Sequence, residues 1–184
     1  MAKTLSNMIP LGTKAPDFIL PDTVSHQNVS LHDMKPCTAT VIMFLSNHCP
    51  YVKLIQKKLT EVAKQYQAKG IHFIAISSND IEAYPDDSPE KMKFEAFAAA
   101  YTFPYLYDES QSVAKSYDAA CTPDFFVFDK NLALVYRGRF DEATPGNQKP
   151  VTGIDLQQAL DAILNGQAVS AEQLPSLGCN IKWK

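Results

Sequence analysis

Residues 41–53 read VIMFLSNHCPYVK, and this stretch carries most of the fold prediction. Its first half is a continuous apolar run, which is typical of a strand buried on both faces of a sheet. Pro50 suits the first turn of an α-helix, because the N–H group that proline lacks would have no partner there. The sequence therefore predicts a strand that leads directly into a helix, with Cys49 at the junction.

Cys49 is a candidate nucleophile because of this position. At a helix N-terminus, unpaired backbone N–H groups and the positive end of the helix dipole stabilise a thiolate relative to a thiol. The third residue after it, where a C-x-x-C motif has its second thiol, is Val52. A disulfide partner must therefore come from elsewhere in the chain. The alternative is that Cys49 is a small apolar side chain of the core.

The composition is that of an ordinary globular protein. The chain has 184 residues, 46% of them hydrophobic, and a formal net charge of -3. We expect one domain, residues 1–184, and neither nucleic acid nor a membrane as a partner. Residues 1–11 lack the features of a secretory signal, and no stretch is as long as a transmembrane helix. We therefore expect a cytoplasmic protein, monomeric or homodimeric.

Apolar runs alternate with amphipathic helical patterns, which predicts a three-layer α/β domain around a central sheet. The first two strands, joined by a helix, suit a parallel β-α-β unit, and the last two suit a hairpin. Residues 168–184 show little periodicity and are expected to form a mobile tail. The acidic residues Asp86, Asp87 and Glu90 are interpreted as solvated surface. Strands are predicted at 40–45, 71–77, 105–107, 124–128 and 133–139, and helices at 50–68, 90–100, 111–117 and 155–164.

A second informative stretch, residues 120–129, reads ACTPDFFVFD. Pro123 stands at the entrance of an apolar strand, where proline is tolerated and is sometimes cis. A helix-capping cysteine followed later by Thr-Pro and an apolar strand resembles the thioredoxin fold. The resemblance implies a thioredoxin-like three-layer α/β/α sandwich with a mixed central sheet and an N-terminal extension. It also implies that Pro123 is cis and packs beside Cys49.

Further motifs are similar to one branch of that superfamily, the peroxiredoxin-like redoxins of the alkyl hydroperoxide reductase and thiol-specific antioxidant type. The resemblance implies an antioxidant thiol oxidoreductase without a cofactor, whose partners are a peroxide or disulfide substrate and a thiol reductant such as a thioredoxin-like protein. The motifs are residues 12–20 (GTKAPDFIL), 47–52 (NHCPYV), 136–139 (YRGR), 145–147 (PGN) and 178–184 (GCNIKWK).

The resemblance implies that the Cys49 thiolate attacks the peroxide or disulfide. Ser46 matches the family's Thr or Ser three residues before that cysteine. Two positions depart from the peroxiredoxin pattern: Ile42 stands where the pattern has proline, and residues 121–123 stand where it has an arginine. Both departures concern peroxide activation, which needs hydrogen-bond donors around the developing charge.

The adduct on Cys49 could be resolved by an external thiol or by one of two cysteines of the chain. In the thioredoxin arrangement the residues just before the cis proline lie against the nucleophile, so the resemblance implies that Cys121 is the better placed one. Its alternative role is that of a buried structural thiol. A flexible tail could instead deliver Cys179, although a plain surface cysteine is the simpler interpretation there. Cys37 is interpreted as structural.

His48, Thr122 and Arg139 are possible supporting residues. His48 could act as a cation beside the thiolate. Arg137 and Arg139 lie on one face of a predicted strand and could replace the missing arginine, unless nearby carboxylates pair with them. The rival hypothesis is a non-catalytic thioredoxin-fold protein that holds a peptide, a metal or a cofactor in the Cys49 cleft. A metal site is not expected, because adjacent residues rarely converge on one ion.

Overall fold

The computed structural model describes residues 3–35 and 37–184, so the first two residues of the predicted domain lie outside the described residues. The elements, in chain order, are β1 (Lys3–Leu5), β2 (Ile19–Pro21), β3 (Asn28–Ser30), β4 (Ala39–Phe44), α1 (Pro50–Gln67), β5 (Ile71–Ser77), a short 3-10 helix (Pro85–Asp87), α2 (Pro89–Ala98), β6 (Tyr105–Tyr107), α3 (Ser112–Ser116), β7 (Cys121–Thr122), β8 (Asp124–Asp129), β9 (Leu134–Gly138), α4 (Ile154–Leu164) and β10 (Leu177–Asn180).

A mixed five-stranded sheet with the order β6-β5-β4-β8-β9 forms the centre of the fold. β4 and β6 both run parallel to β5, whereas β8 is antiparallel to β4 and β9 is antiparallel to β8. Every residue of β4 is buried, as expected for a central strand. The predicted parallel unit, the predicted hairpin and the mixed sheet are therefore confirmed.

Alternate residues of β4 belong to two separate apolar cores, one on each face of the sheet. Met43 packs in a cluster that contains Leu59 of α1 and Leu156 of α4. Phe44 packs on the other face, in a cluster that contains Tyr117, which directly follows α3. Because successive strand residues point to opposite faces, one apolar run serves both cores. The helices therefore form outer layers around the sheet, and the predicted three-layer architecture is confirmed.

The C-terminal segment is not a mobile tail. β10 pairs antiparallel with β1 on one side and with β7 on the other, which makes a second sheet of three strands. Beyond it, the Lys182 backbone N–H donates to Asn79 Oδ1 at 2.8 Å. The Lys182 carbonyl accepts from the Asp80 N–H and from Gln111 Nε2, both at 2.8 Å. Such pairing between distant segments leaves no periodic signal in the sequence, and the expectation of a mobile tail was wrong.

The three-stranded sheet lies next to α1, because β10 contacts both β7 and that helix.

In the described part of the chain, no helix is long and apolar enough to span a membrane.

Candidate active site

Cys49 is the residue immediately before α1, and its side chain is completely buried. Its Sγ donates to the carbonyl oxygen of Thr122 at 3.1 Å. The peptide bond that follows, Thr122–Pro123, is cis. The predictions that Pro123 is cis and that the residues before it lie against Cys49 are therefore confirmed at Thr122.

The second sulfur at this site belongs to Cys179, whose Sγ lies 3.0 Å from Cys49 Sγ. Cys179 stands directly opposite Thr122 in the pairing of β10 with β7. Cys49 contacts the backbone carbonyl of this same Thr122, so the register places Cys179 beside Cys49. Only 3% of Cys179 is exposed, and the interpretation as a plain surface cysteine was wrong. Burial, followed by the neighbouring Cys49, raises the pKa of Cys179 to about 12.

Cys121 is also buried, but it takes a different orientation. It precedes Thr122 on β7, and successive strand residues point to opposite faces. Its Sγ lies 3.6 Å from the carbonyl oxygen of Pro123. Burial and the nearby Asp124 raise the pKa of Cys121 far above its usual range. From the sequence, Cys121 was expected to be better placed than Cys179 to resolve an adduct on Cys49. The structure shows the opposite, because Cys179 makes the contact with Cys49 that Cys121 was expected to make.

Gly178 allows β10 to approach the cis peptide closely. A Cβ atom at this position would lie 2.0 Å from the Thr122 carbonyl oxygen and 3.2 Å from the Pro123 nitrogen. Both distances are shorter than ordinary contacts, and both atoms are backbone, so neither can swing away. Any side chain at position 178 would therefore push β10, and Cys179 with it, away from β7.

A buried carboxylate holds the residues that precede Cys49. Asp87 is completely buried and accepts hydrogen bonds from Ser46 Oγ at 3.0 Å, the Asn47 N–H at 2.6 Å and Asn79 Nδ2 at 2.6 Å. His48 Nδ1 lies 2.8 Å from the same carboxylate. The interpretation of Asp87 as solvated surface was wrong. This network fixes the loop between β4 and α1, and with it the position of Cys49.

The network also shows what Ser46 and His48 contact. The Ser46 hydroxyl donates to Asp87, not to a sulfur atom. The His48 ring stacks on Tyr84 with 5.2 Å between ring centroids. An imidazolium at this position would have the Asp87 carboxylate as its counter-ion. The proposed supporting roles of Ser46 and His48 at the thiolate remain predictions.

Arg137 and Arg139 are engaged elsewhere. Arg137 Nη1 donates to Gln173 Oε1 at 2.8 Å, and Arg139 Nε donates to Asp155 at 2.5 Å. The carboxylate pairing considered as the alternative is therefore present for Arg139. Arg139 also lines a cavity of about 280 Å³.

The cavity lies between the start of α1, the cis proline and the start of β10. Tyr51, Pro123 and Leu177 are among its lining residues. Burial, followed by Cys179 and Cys49, raises the pKa of the Tyr51 phenol, and all three residues belong to the same buried apolar cluster. Among the residues that the structure describes, no cluster of three or more His, Cys, Asp or Glu side chains could hold a metal ion.

Sequence and structure comparisons identify the family. Residues 11–137 match the AhpC/TSA family. The chain belongs to the AhpC/TSA family. It is therefore a peroxiredoxin-like redoxin of the thioredoxin superfamily, as the sequence motifs indicated.

Three relatives of this AhpC/TSA protein differ in their distance from it. A crystal structure of an uncharacterised conserved protein from Geobacillus kaustophilus is 54% identical, with a TM-score of 0.98 over 100% of this chain and 97% of that chain. The thiol-disulfide oxidoreductase ResA of Geobacillus kaustophilus is 25% identical over 130 residues, which are 70% of this chain and 68% of that protein.

The third relative concerns the fold alone. It is the thioredoxin domain of a thiol-disulfide oxidoreductase from Bacteroides vulgatus, with 16% identity and a TM-score of 0.61 over 81% of this chain and 97% of that chain. The similarity confirms the thioredoxin-like fold that was predicted from the sequence.

Proposed function

We propose that this protein is a thiol-disulfide oxidoreductase in which Cys49 and Cys179 are the redox pair. The contact of 3.0 Å between their sulfur atoms carries the proposal. The distant similarity to the oxidoreductase ResA supports the same class of reaction. The register of β10 on β7 supplies the geometric reason, because it places Cys179 opposite Thr122, whose carbonyl Cys49 contacts.

Cys49 takes the role of the attacking thiol. It precedes a helix of 18 residues, where free backbone N–H groups stabilise an anion. Burial keeps Cys179 protonated by raising its pKa to about 12. Cys179 therefore acts second, as the resolving thiol, and Thr122 contributes the carbonyl group that contacts Cys49.

The exchange proceeds in two balanced steps. In the first step the Cys49 thiolate attacks one sulfur of the substrate disulfide, whose S–S bond breaks. One substrate thiolate leaves and takes up the proton that Cys49 lost. In the second step Cys179 gives up its proton and attacks the Cys49 sulfur, which releases the second substrate thiolate to receive that proton. Two protein thiols are oxidised and one substrate disulfide is reduced to two thiols.

A disulfide suits this site better than a peroxide. The Ser46 hydroxyl donates to Asp87, and the Nε–H group of Arg139 donates to Asp155, so these two donor groups are used within the fold and not at Cys49. An external thiol must then reduce the Cys49–Cys179 disulfide, and the thioredoxin-like reductant remains the predicted partner. We propose a reducing, cytoplasmic setting, in keeping with this need.

The test is the stoichiometry of thiolate release from an aromatic disulfide that yields a coloured product. It uses a Cys37→Ser background, because Cys37 is partly exposed and would add a signal of its own. The two-step exchange predicts rapid release of two thiolates per chain. Cys179→Ser should release one and retain a mixed disulfide, Cys49→Ser should release none, and Cys121→Ser should behave as the parent. Rapid release of two thiolates from the Cys49→Ser variant would overturn the proposal.

A further inference from the structure

The edge of β7 is covered by the protein's own C-terminal strand. Cys179 pairs with Thr122 and Asn180 pairs with Cys121 in antiparallel register. β10 is itself covered on its other edge by β1. On the side of β10, the backbone beside the cis peptide is therefore closed to a second polypeptide.

An extended polypeptide commonly binds a sheet by adding a strand to an exposed edge, where backbone hydrogen bonds provide the affinity. At this site β10 occupies the edge on which such a strand would pair. It also brings a cysteine into contact with Cys49, as a bound cysteine-containing peptide would. β10 thus makes the two contacts that a bound polypeptide substrate would make: backbone pairing with β7 and a cysteine against Cys49.

We propose that β10 is the specificity element of the site, which keeps polypeptide disulfides from Cys49 and restricts its substrates to low-molecular-weight disulfides. This proposal rests on the proposed function. β10 belongs to the same chain and already pairs with the edge of β7, so an incoming polypeptide must first displace it. Displacement means loss of the pairing with β7 and with β1 and of the close packing at Gly178.

We place a small disulfide in the cavity next to the pair; neither Cys49 nor Cys179 lines this cavity, so a local shift of its lining side chains must bring the disulfide to Cys49. The cavity volume of about 280 Å³ is close to the lower end of small-molecule pockets, and Tyr51, Pro123 and Leu177 line it. A small disulfide fits such a space, whereas a folded or extended polypeptide does not. Attack by the Cys49 thiolate on that disulfide then follows the two balanced steps given above.

Gly178→Ala tests the proposal by disturbing β10 at one atom. The added Cβ would lie 2.0 Å from the Thr122 carbonyl oxygen, so β10 must shift away from β7. The experiment measures two rate constants for the oxidation of Cys49. One is for hydroxyethyl disulfide, and the other is for a polypeptide disulfide, native insulin with its disulfides intact. The wild-type protein should react with the first much faster than with the second. In Gly178→Ala the ratio of the insulin rate to the small-disulfide rate should rise about tenfold or more. The reason is that weaker pairing of β10 with β7 exposes the edge of β7 more often.

Gly166→Ala is the matched control. Gly166 has a positive φ of 66° and no atom within 4 Å of an added Cβ, so the substitution strains the backbone without a clash at β10. It should leave the ratio of rates unchanged.

A second variant, Gln111→Asn, covers the case in which Gly178→Ala fails to fold. It shortens the side chain that donates to the carbonyl groups of Ser78 and Lys182, so it loosens the chain just beyond β10 and should raise the ratio in the same direction.

The outcomes separate the two proposals. A wild-type protein that reacts with insulin as fast as with hydroxyethyl disulfide would overturn the role of β10 and leave the redox pair intact. An unchanged ratio in variants whose backbone amides at 177–180 have lost protection from hydrogen exchange would overturn it as well. If Cys49 of the wild-type protein reacts with neither disulfide, the proposed function itself is wrong.

Discussion

Cys179 lies directly opposite Thr122 in the pairing of β10 with β7, and this single register brings its sulfur to 3.0 Å from that of Cys49. The two cysteines are 130 positions apart in the chain. A C-x-x-C motif holds both thiols on one helix turn. In this protein the second thiol stands on a strand near the C-terminus, so any change that moves β10 also changes the contact between the two sulfur atoms.

We expect Asp87→Asn to destabilise the protein by about 2 kcal/mol, because an amide cannot accept all the hydrogen bonds that the buried carboxylate receives. Such a loss corresponds to a fall in Tm of roughly 4–8 °C for a chain of this size. Thermal unfolding followed by circular dichroism measures it.

The neighbouring Asp86→Asn is the matched control for that prediction. The Asp86 side chain is 64% exposed, and its carboxylate pairs with Lys91 at the surface. Surface pairs of this kind contribute about 0–1 kcal/mol. Equal losses of stability in the two variants would contradict the account of Asp87 as the anchor of the loop before Cys49.

The resolving step should accelerate with pH. Burial is the first cause of the high pKa of Cys179, about 12, and we expect this cause to act also when Cys49 carries a mixed disulfide. Below that pKa the thiolate fraction of Cys179 rises about tenfold per pH unit, and the thiolate is the attacking form. Release of the second coloured thiolate, followed by stopped flow between pH 7 and pH 9, should show this slope. A second phase that does not change with pH would exclude Cys179 as a high-pKa resolving thiol.

Asp124→Asn should change how stability depends on pH. Asp124 is completely buried, and burial raises its pKa well above the ordinary value of 3.8. Above pH 3.8 the unfolded chain loses the proton that the folded protein retains, so wild-type stability should fall as pH rises towards the folded-state pKa. Asparagine does not titrate, so the variant should gain stability relative to the wild type over this range. Denaturant unfolding at several pH values measures the difference, and parallel curves for the two proteins would contradict it.

The junction of β4 with α1 could be predicted from the sequence because its signals are local. A fully apolar run marks a central strand, and Pro50 directly after Cys49 marks a helix start. Pro123 at the entrance of β8 is a local signal as well, and the resemblance to the thioredoxin fold implied its cis peptide. These three features define the strand, the helix and the proline next to Cys49.

The position of Cys179 could not be predicted, because it depends on pairing between strands that are far apart in sequence. β10 has four residues and β7 has two, too few for a periodic pattern. The role of Asp87 was missed for a related reason. An aspartate in an acidic cluster usually indicates surface, and only the fold shows the donors that converge on it from residues 46–48 and from Asn79.

The most direct test of the Cys49–Cys179 pair is disulfide mapping by mass spectrometry after mild oxidation of the reduced full-length protein. The account predicts one dominant cross-linked peptide pair that joins Cys49 to Cys179. The same pair should form in Cys121→Ser and disappear in Cys179→Ser. A Cys49–Cys121 bond in the wild-type protein, or a stable sulfenic acid on Cys49 with Cys179 still reduced, would contradict it.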